Sequence, residues 1–280
     1  MLGKLLKHEW KAVWRVPTLL IGILMIIAVI SGLTFALPIW DSEWIGLPLS
    51  GMMLILLFYA AMIGVGIGIT IYFAVRYYKN MFTDEGYLTH TLPVTSHQLL
   101  ASKIITMSAW NLIGGIAVLV SLLVFGGVAV LFLGAKEGSF AVDVLDALEQ
   151  LKAIWNTPLF HGFKSFCVST LCMTLLSSVS NTMMIIGAIT LGQMVRQHRV
   201  LGSVGAYFAI NVLMQAISIV IMMPVMIKMV MDEEFLYNFE RSPFDFYTAL
   251  YAAMAVIFLI VSVGLYFLCE YLVRRQLELE

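Results

Sequence analysis

Long apolar runs separated by short polar ones set the pattern of this chain. The runs at 18–37, 49–75, 104–133, 163–195, 200–227 and 246–272 carry few charges. Each is long enough to cross a bilayer as an α-helix, which takes about 20 residues. The stretch before them, 1–15, reads as an amphipathic helix. At 100° per residue, Lys4, Lys7, His8, Lys11 and Arg15 form one stripe, and Leu2, Leu6 and Val13 lie opposite, flanked by Leu5 and Trp10. Such a helix lies in the membrane interface with its basic side chains toward anionic headgroups. Pro17 suits the start of the first span and Pro38 its stop. Trp40 and Trp44 place the following loop at headgroup level.

Between the second and third runs lies a polar island, Arg76 to Lys103, of about 28 residues. Tyr77 to Asn80 prolong the second helix, with Arg76 and Lys79 at the headgroups and Tyr77 and Tyr78 in the aromatic belt. Thr83, Asp84 and Glu85 favour the first turn of a new helix. Leu92-Pro93-Val94 breaks it, because a residue before proline avoids the helical region. Thr95 or Ser96 then caps a helix that re-enters the apolar layer. Two further polar segments remain. In 134–161, Leu145, Leu148, Leu151 and Trp155 recur at helical spacing against Asp143, Asp146, Glu149 and Lys152, which predicts a short surface helix. The segment 228–245, with Asp232, Glu233, Glu234, Glu240 and Asp245, reads as an acidic loop.

Composition agrees with this pattern. Hydrophobic residues make up 61% of the 280, charged residues 12%, and the mean hydropathy is +0.96. Soluble domains carry roughly 45–50% apolar and about 25% charged residues. The expected fold is all-α: a polytopic membrane protein, one transmembrane domain of six helices with an N-terminal interfacial helix. Cys167, Cys172 and Cys269 fall inside apolar spans without metal-ligating company and read as small buried hydrophobes. Gly64 and Gly68 form a small-xxx-small pair that permits close helix approach, here read as packing within one bundle.

Six spans bring both termini to one side. Lys4, Lys7, Lys11, Arg15, Arg76, Lys79, Lys103, Arg196, Arg199, Arg274 and Arg275 share that side; Lys136, Lys152, Lys164, Lys228 and Arg241 take the other. The excess of basic residues predicts cytoplasmic termini and a cytoplasmic island in a multi-pass protein of a plasma membrane, with a bacterial source expected. The net charge of -1 gives no reason to expect a nucleic-acid partner.

The chemistry that is missing narrows the function. No carboxylate lies deep in a span, where ion-coupled carriers keep one; Glu270 sits within about a turn of the last helix end. His8-Glu9 begins a zinc-protease motif, but Ala12 stands where its second histidine belongs. There is no nucleophile elbow and no G-x-x-x-x-G-K-[ST] phosphate loop. An enzyme is not expected, and energy for active transport has to come from another subunit.

The island is similar to the loop between the second and third helices of type 2 ABC exporter permeases. Glu85, Gly86, Leu88, Leu92, Pro93, Leu99, Leu100 and Lys103 carry the resemblance, which the amphipathic N-terminus and six spans extend over most of the chain. It implies a coupling helix that docks on a separate cytoplasmic ATPase, which would hold the ATP and magnesium, so no cofactor is expected in this chain. It also implies a second permease subunit, with a pathway between the first, second and fifth helices. By position, Asp84, Glu85, Gly86, Tyr87 and His90 are the candidates for ATPase contact. The substantial 134–161 segment departs from the family, which elaborates the loop between its fifth and sixth helices.

Polar groups inside the spans, Ser177, Asn181, Asn211 and Gln215, are candidates to line a pathway. Such groups more often hydrogen-bond between helices, at about 0.6–2 kcal/mol each. With 18 methionines and 17 phenylalanines, an amphipathic or hydrophobic cargo, such as a peptide, drug or lipid-like molecule, is expected. Two other classes stand beside the exporter: a passive channel working without nucleotide, and a membrane scaffold that moves nothing.

Overall fold

The computed structural model describes residues 2–37, 40, 44–83, 95–137, 149, 152, 162–195 and 198–275. All regular structure among them is helical: α1 (Leu2–Val13), α2 (Arg15–Leu33), α3 (Gly46–Phe82), α4 (Ser96–Glu137), α5 (Phe163–Gly192), α6 (Arg199–Met231), α7 (Glu233–Arg241) and α8 (Pro243–Arg275), with a 3-10 turn at Thr34–Ala36. Six of these, α2 to α6 and α8, are long and apolar enough to span a membrane. The protein is an all-α polytopic membrane protein. At 1.5 Å per residue, the 42 residues of α4 extend about 63 Å, twice the roughly 30 Å hydrocarbon layer. Its ends, like those of the 37-residue α3, stand outside the apolar layer.

Only Trp14 separates α1 from α2, and it too is in right-handed helical conformation. Pro17 explains the interruption, since it cannot return an N–H to the carbonyl four residues earlier. The span thus begins two residues before the proline instead of at it. Lys4, Lys7, His8, Lys11 and Arg15 are all exposed, as the amphipathic pattern requires. The opposite face is partly covered by protein: Val13 is buried and Trp10 stacks on Trp110 with ring centroids 5.0 Å apart.

The chain divides into two compact units. One comprises Lys7–Phe73 and Ala109–Leu151. Its core lies where α2, the first part of α3 and the second part of α4 meet. Gly32 of α2 faces α4 so closely that a methyl there would lie 2.9 Å from Val128 Cβ and 3.1 Å from the Phe125 carbonyl oxygen. Phe125 stacks on Phe58 of α3 at 4.8 Å, and Ser31 Oγ donates to the Leu54 carbonyl at 2.9 Å. In lipid no hydrophobic drive joins helices, so such close contacts and interhelical hydrogen bonds do it. The Gly64–Gly68 pair takes little part in this packing. Among the described residues a methyl at Gly64 would meet nothing within 4 Å, and one at Gly68 would touch Leu20 of α2 at 3.4 Å. The Ser31–Gly32 pair does that work instead.

The other unit comprises Met1–Leu6, Ala74–Ser108 and Lys152–Glu280. Its central element is the second half of α5, buried without interruption from Thr182 to Thr190. α8 packs along it so closely that a methyl at Gly187 would lie 3.1 Å from Leu265 Cδ2. α6 turns back on it so tightly that a methyl at Gly192 would collide with the Ser203 backbone. Cys167 and Cys172 are exposed on the outer face of α5, and only Cys269 is buried. The expectation of three buried thiols fails because the first half of α5 has an uncovered apolar face.

The acidic segment 228–245 contains a helix. α6 continues through Pro224 to Met231, as transmembrane helices tolerate. Asp232 Oδ1 then accepts from the amides of Glu234 (3.1 Å) and Phe235 (3.2 Å), capping α7. Glu233 and Glu234 begin α7 and Arg241 ends it, each suited to the dipole. Phe235 and Phe239 pack edge-on against Phe246. The surface helix read in 134–161 lies outside the described residues except for Glu149 and Lys152, which are helical.

Two substitutions test this frame. Gly162, at φ 79°, precedes α5, and the Asp245 carboxylate fills the place a Cβ would take. Gly162→Ala should lower stability by about 1–3 kcal/mol, read as a fall in the melting temperature of the purified protein. Asp232→Ala should cost about 1 kcal/mol and selectively speed amide exchange in α7.

Candidate functional site

The island begins and ends in packed protein. In the last turns of α3, Tyr77, Met81 and Phe82 are buried; in the first turns of α4, so are Leu99, Leu100, Ser102, Lys103 and Thr106. Tyr77 and Phe82 meet edge-on at 5.9 Å. Tyr77 is thus not an aromatic-belt residue; its ring sits in a protein core while Tyr78 is half-buried. Lys103, the last residue of the island, is 4% exposed. Sequence could not show this, because a polar run past a membrane span looks the same whether water or protein surrounds it.

Local rules set the two edges of the island. Thr83 donates its hydroxyl to the Lys79 carbonyl at 2.7 Å, a bond back into α3. Thr95 starts α4, its hydroxyl oxygen accepting from the Gln98 amide at 3.3 Å and its carbonyl from the Leu99 amide at 3.1 Å. Of the two expected caps, Thr95 is the one used. Residues 84–94, and with them Asp84, Glu85, Gly86, Tyr87 and His90, lie outside the described residues.

This base is tied to the rest of its unit. Ser178 Oγ of α5 donates to the Ser108 carbonyl of α4 at 2.6 Å, a bond between helices 70 residues apart in sequence. His97 in the first turn of α4 meets Tyr266 of α8 edge-on, 5.8 Å between centroids. A movement imposed on the island's ends therefore reaches α5 and α8 through direct contacts.

The pathway candidates behave differently from one another. Ser177 donates to the Thr174 carbonyl (3.0 Å) and Asn211 Nδ2 to the Tyr207 carbonyl (2.8 Å), both on their own helices. Asn181 is half-buried and Gln215 exposed. Among the described residues no hydrogen bond joins any of the four to another helix. In the same polar patch Ser178 bonds to α4, and Ser180 and Thr182 are buried. The sequence singled out the patch but not which members turn inward.

Comparison with protein-family models, curated proteins and solved structures found no match.

Tyr77→Ala should destabilise the protein by about 3–5 kcal/mol, as large-to-small changes at a filled aromatic site do. Ser178→Ala should cost only about 0.6 kcal/mol, the average for an interhelical bond in a membrane. Unfolding in mixed detergent micelles measures both; a Tyr77 effect no larger than that of Ser178 would contradict the packed base.

Proposed function

We propose that this chain is the permease subunit of an ATP-driven exporter of the type 2 ABC class. The observation that carries the reading is the island itself. A polar segment with the E-G-x-L and Leu-Pro features of a coupling loop lies between two helix ends with buried side chains, and α4 is tied to α5 and α8. A solvated loop without a partner does not call for such a foundation. A loop that receives force does, since force applied to frayed helix ends would be lost in local bending.

In this reading the termini and the island face the cytoplasm of a bacterial cell. Asp84, Glu85, Gly86, Tyr87 and His90 meet a separate ATPase subunit, which binds ATP and magnesium. Nucleotide-driven closure of the ATPases pushes on the island, and its packed ends pass the displacement into the spans. A second permease subunit, identical or paralogous, completes the assembly. The open Gly64 face of α3 and the surface of α6, a helix buried only at Met214 among the described residues, suit the approach of that subunit and of an apolar cargo. Amphipathic peptides, drugs and lipid-like molecules are the cargo class.

Co-expression with an ABC ATPase subunit that binds this chain should yield a complex in which Glu85→Arg abolishes co-purification and nucleotide-dependent transport. An unchanged complex with unchanged turnover would sink the coupling role. Substrate flux in liposomes holding this chain alone, without nucleotide, would place it with passive channels. Absence of both flux and ATPase partner would leave the scaffold class.

A further inference from the structure

Within the unit that carries the island, a cleft of about 400 Å³ opens between α4, α5 and α8. Its walls are Ile104, Val179, Met183 and Val263, and His97 and Tyr266 stand at one end. We propose that this cleft holds one phospholipid of the surrounding bilayer. An acyl chain lies along the apolar walls, and a phosphodiester oxygen is held by His97 and the Tyr266 hydroxyl.

Three observations point to that occupant. The first is position. His97 belongs to the first turn of α4, inside the island, whereas Ile104 and Ile105 open the apolar run. From His97 to Ile105 is about 12 Å along the helix, so the cleft crosses from the island into the apolar run. It therefore begins at headgroup level and continues into hydrocarbon, matching a lipid in polarity from end to end.

The second is an unmet hydroxyl. Tyr266 Oη is shielded from water and has no hydrogen-bond partner among the described residues. Ser262, the other hydroxyl of the cleft, donates to the Phe258 carbonyl at 2.6 Å and needs nothing further. A shielded hydroxyl without a partner is uncommon in folded proteins and calls for a group not yet in place. The exposed His97 ring meets the Tyr266 ring edge-on, which puts a second polar side chain at the same end of the cleft.

The third is the apolar lining. A cleft walled by isoleucine, valine and methionine attracts water poorly. In a membrane the molecule at hand to fill it is a lipid chain. The site lies on α4, α5 and α8, apart from the first, second and fifth spans assigned to cargo. It stands whether or not the exporter reading does.

Native mass spectrometry of the delipidated full-length protein, reloaded with dioleoyl phosphatidylglycerol or dioleoylglycerol, tests the assignment. The wild type should keep one phosphatidylglycerol under activation that strips the remainder, and should keep no dioleoylglycerol. Tyr266→Phe, which removes one oxygen, and Ala101→Phe, which fills the cleft, should each reduce retention at least fivefold. Melting temperatures run alongside confirm that both variants are folded. Retention by either folded variant equal to that of the wild type overturns the proposal. So does equal retention of dioleoylglycerol, which would mean a greasy surface indifferent to headgroup.

Discussion

Inside a bilayer every backbone amide must be satisfied by the chain itself, and this constraint governs the rest of the structure. It makes each apolar run a helix, and it also removes the usual reason for helices to associate. Lipid tails solvate leucine and methionine as well as a neighbouring helix does, so the long exposed apolar faces of α3 and α6 contribute little to cohesion. Association depends on the few places where a helix backbone is closely approached. Gly32 against Phe125 and Val128, Gly192 against the Ser203 backbone and Gly187 against the Leu265 side chain are such places, and the hydroxyls of Ser31 and Ser178 bond across between helices.

The same constraint accounts for the unequal burial of the spans. The second half of α5 is covered on all sides because helices approach it on opposite faces, and its Met183-to-Ile189 run offers no charged group to solvate. α6 touches its neighbours along a narrow line and leaves the rest of its surface to lipid or to another subunit. Function is placed accordingly. The packed half of α5 and the ends of α3 and α4 form the stiff part, and the uncovered faces are where other molecules can arrive.

Hydropathy and span length made the six spans legible, since an apolar run of 20 or more residues has one stable conformation in lipid. The basic stripe of α1 was equally legible from its period. α7 was hidden because Asp232, Glu233 and Glu234 suggest solvation at first sight, although an aspartate followed by acids and then Phe235 and Phe239 at helical spacing is a capped amphipathic helix. The burial of Tyr77 and Lys103 was not legible at all, being fixed by partners far away in sequence. The Gly64–Gly68 pair shows the converse error. Spacing gave it the right form for a seam, yet among the described residues Gly64 faces open space, and the close approach is at Gly32, four residues from Ala28 and Ala36 in the same kind of spacing.

The buried ends of the island bear on how the topology of this chain can be mapped. Cysteine-scanning maps take reactivity with water-soluble thiol reagents as the sign of an aqueous loop. Thiols placed at 77, 81, 82, 99, 100 or 103 would stay unlabelled for want of access, though all six positions belong to the polar segment. Such a map would draw the two flanking spans as several turns longer than hydropathy makes them. The disagreement between the two methods, residue by residue, would be a direct image of the protein core beneath the loop.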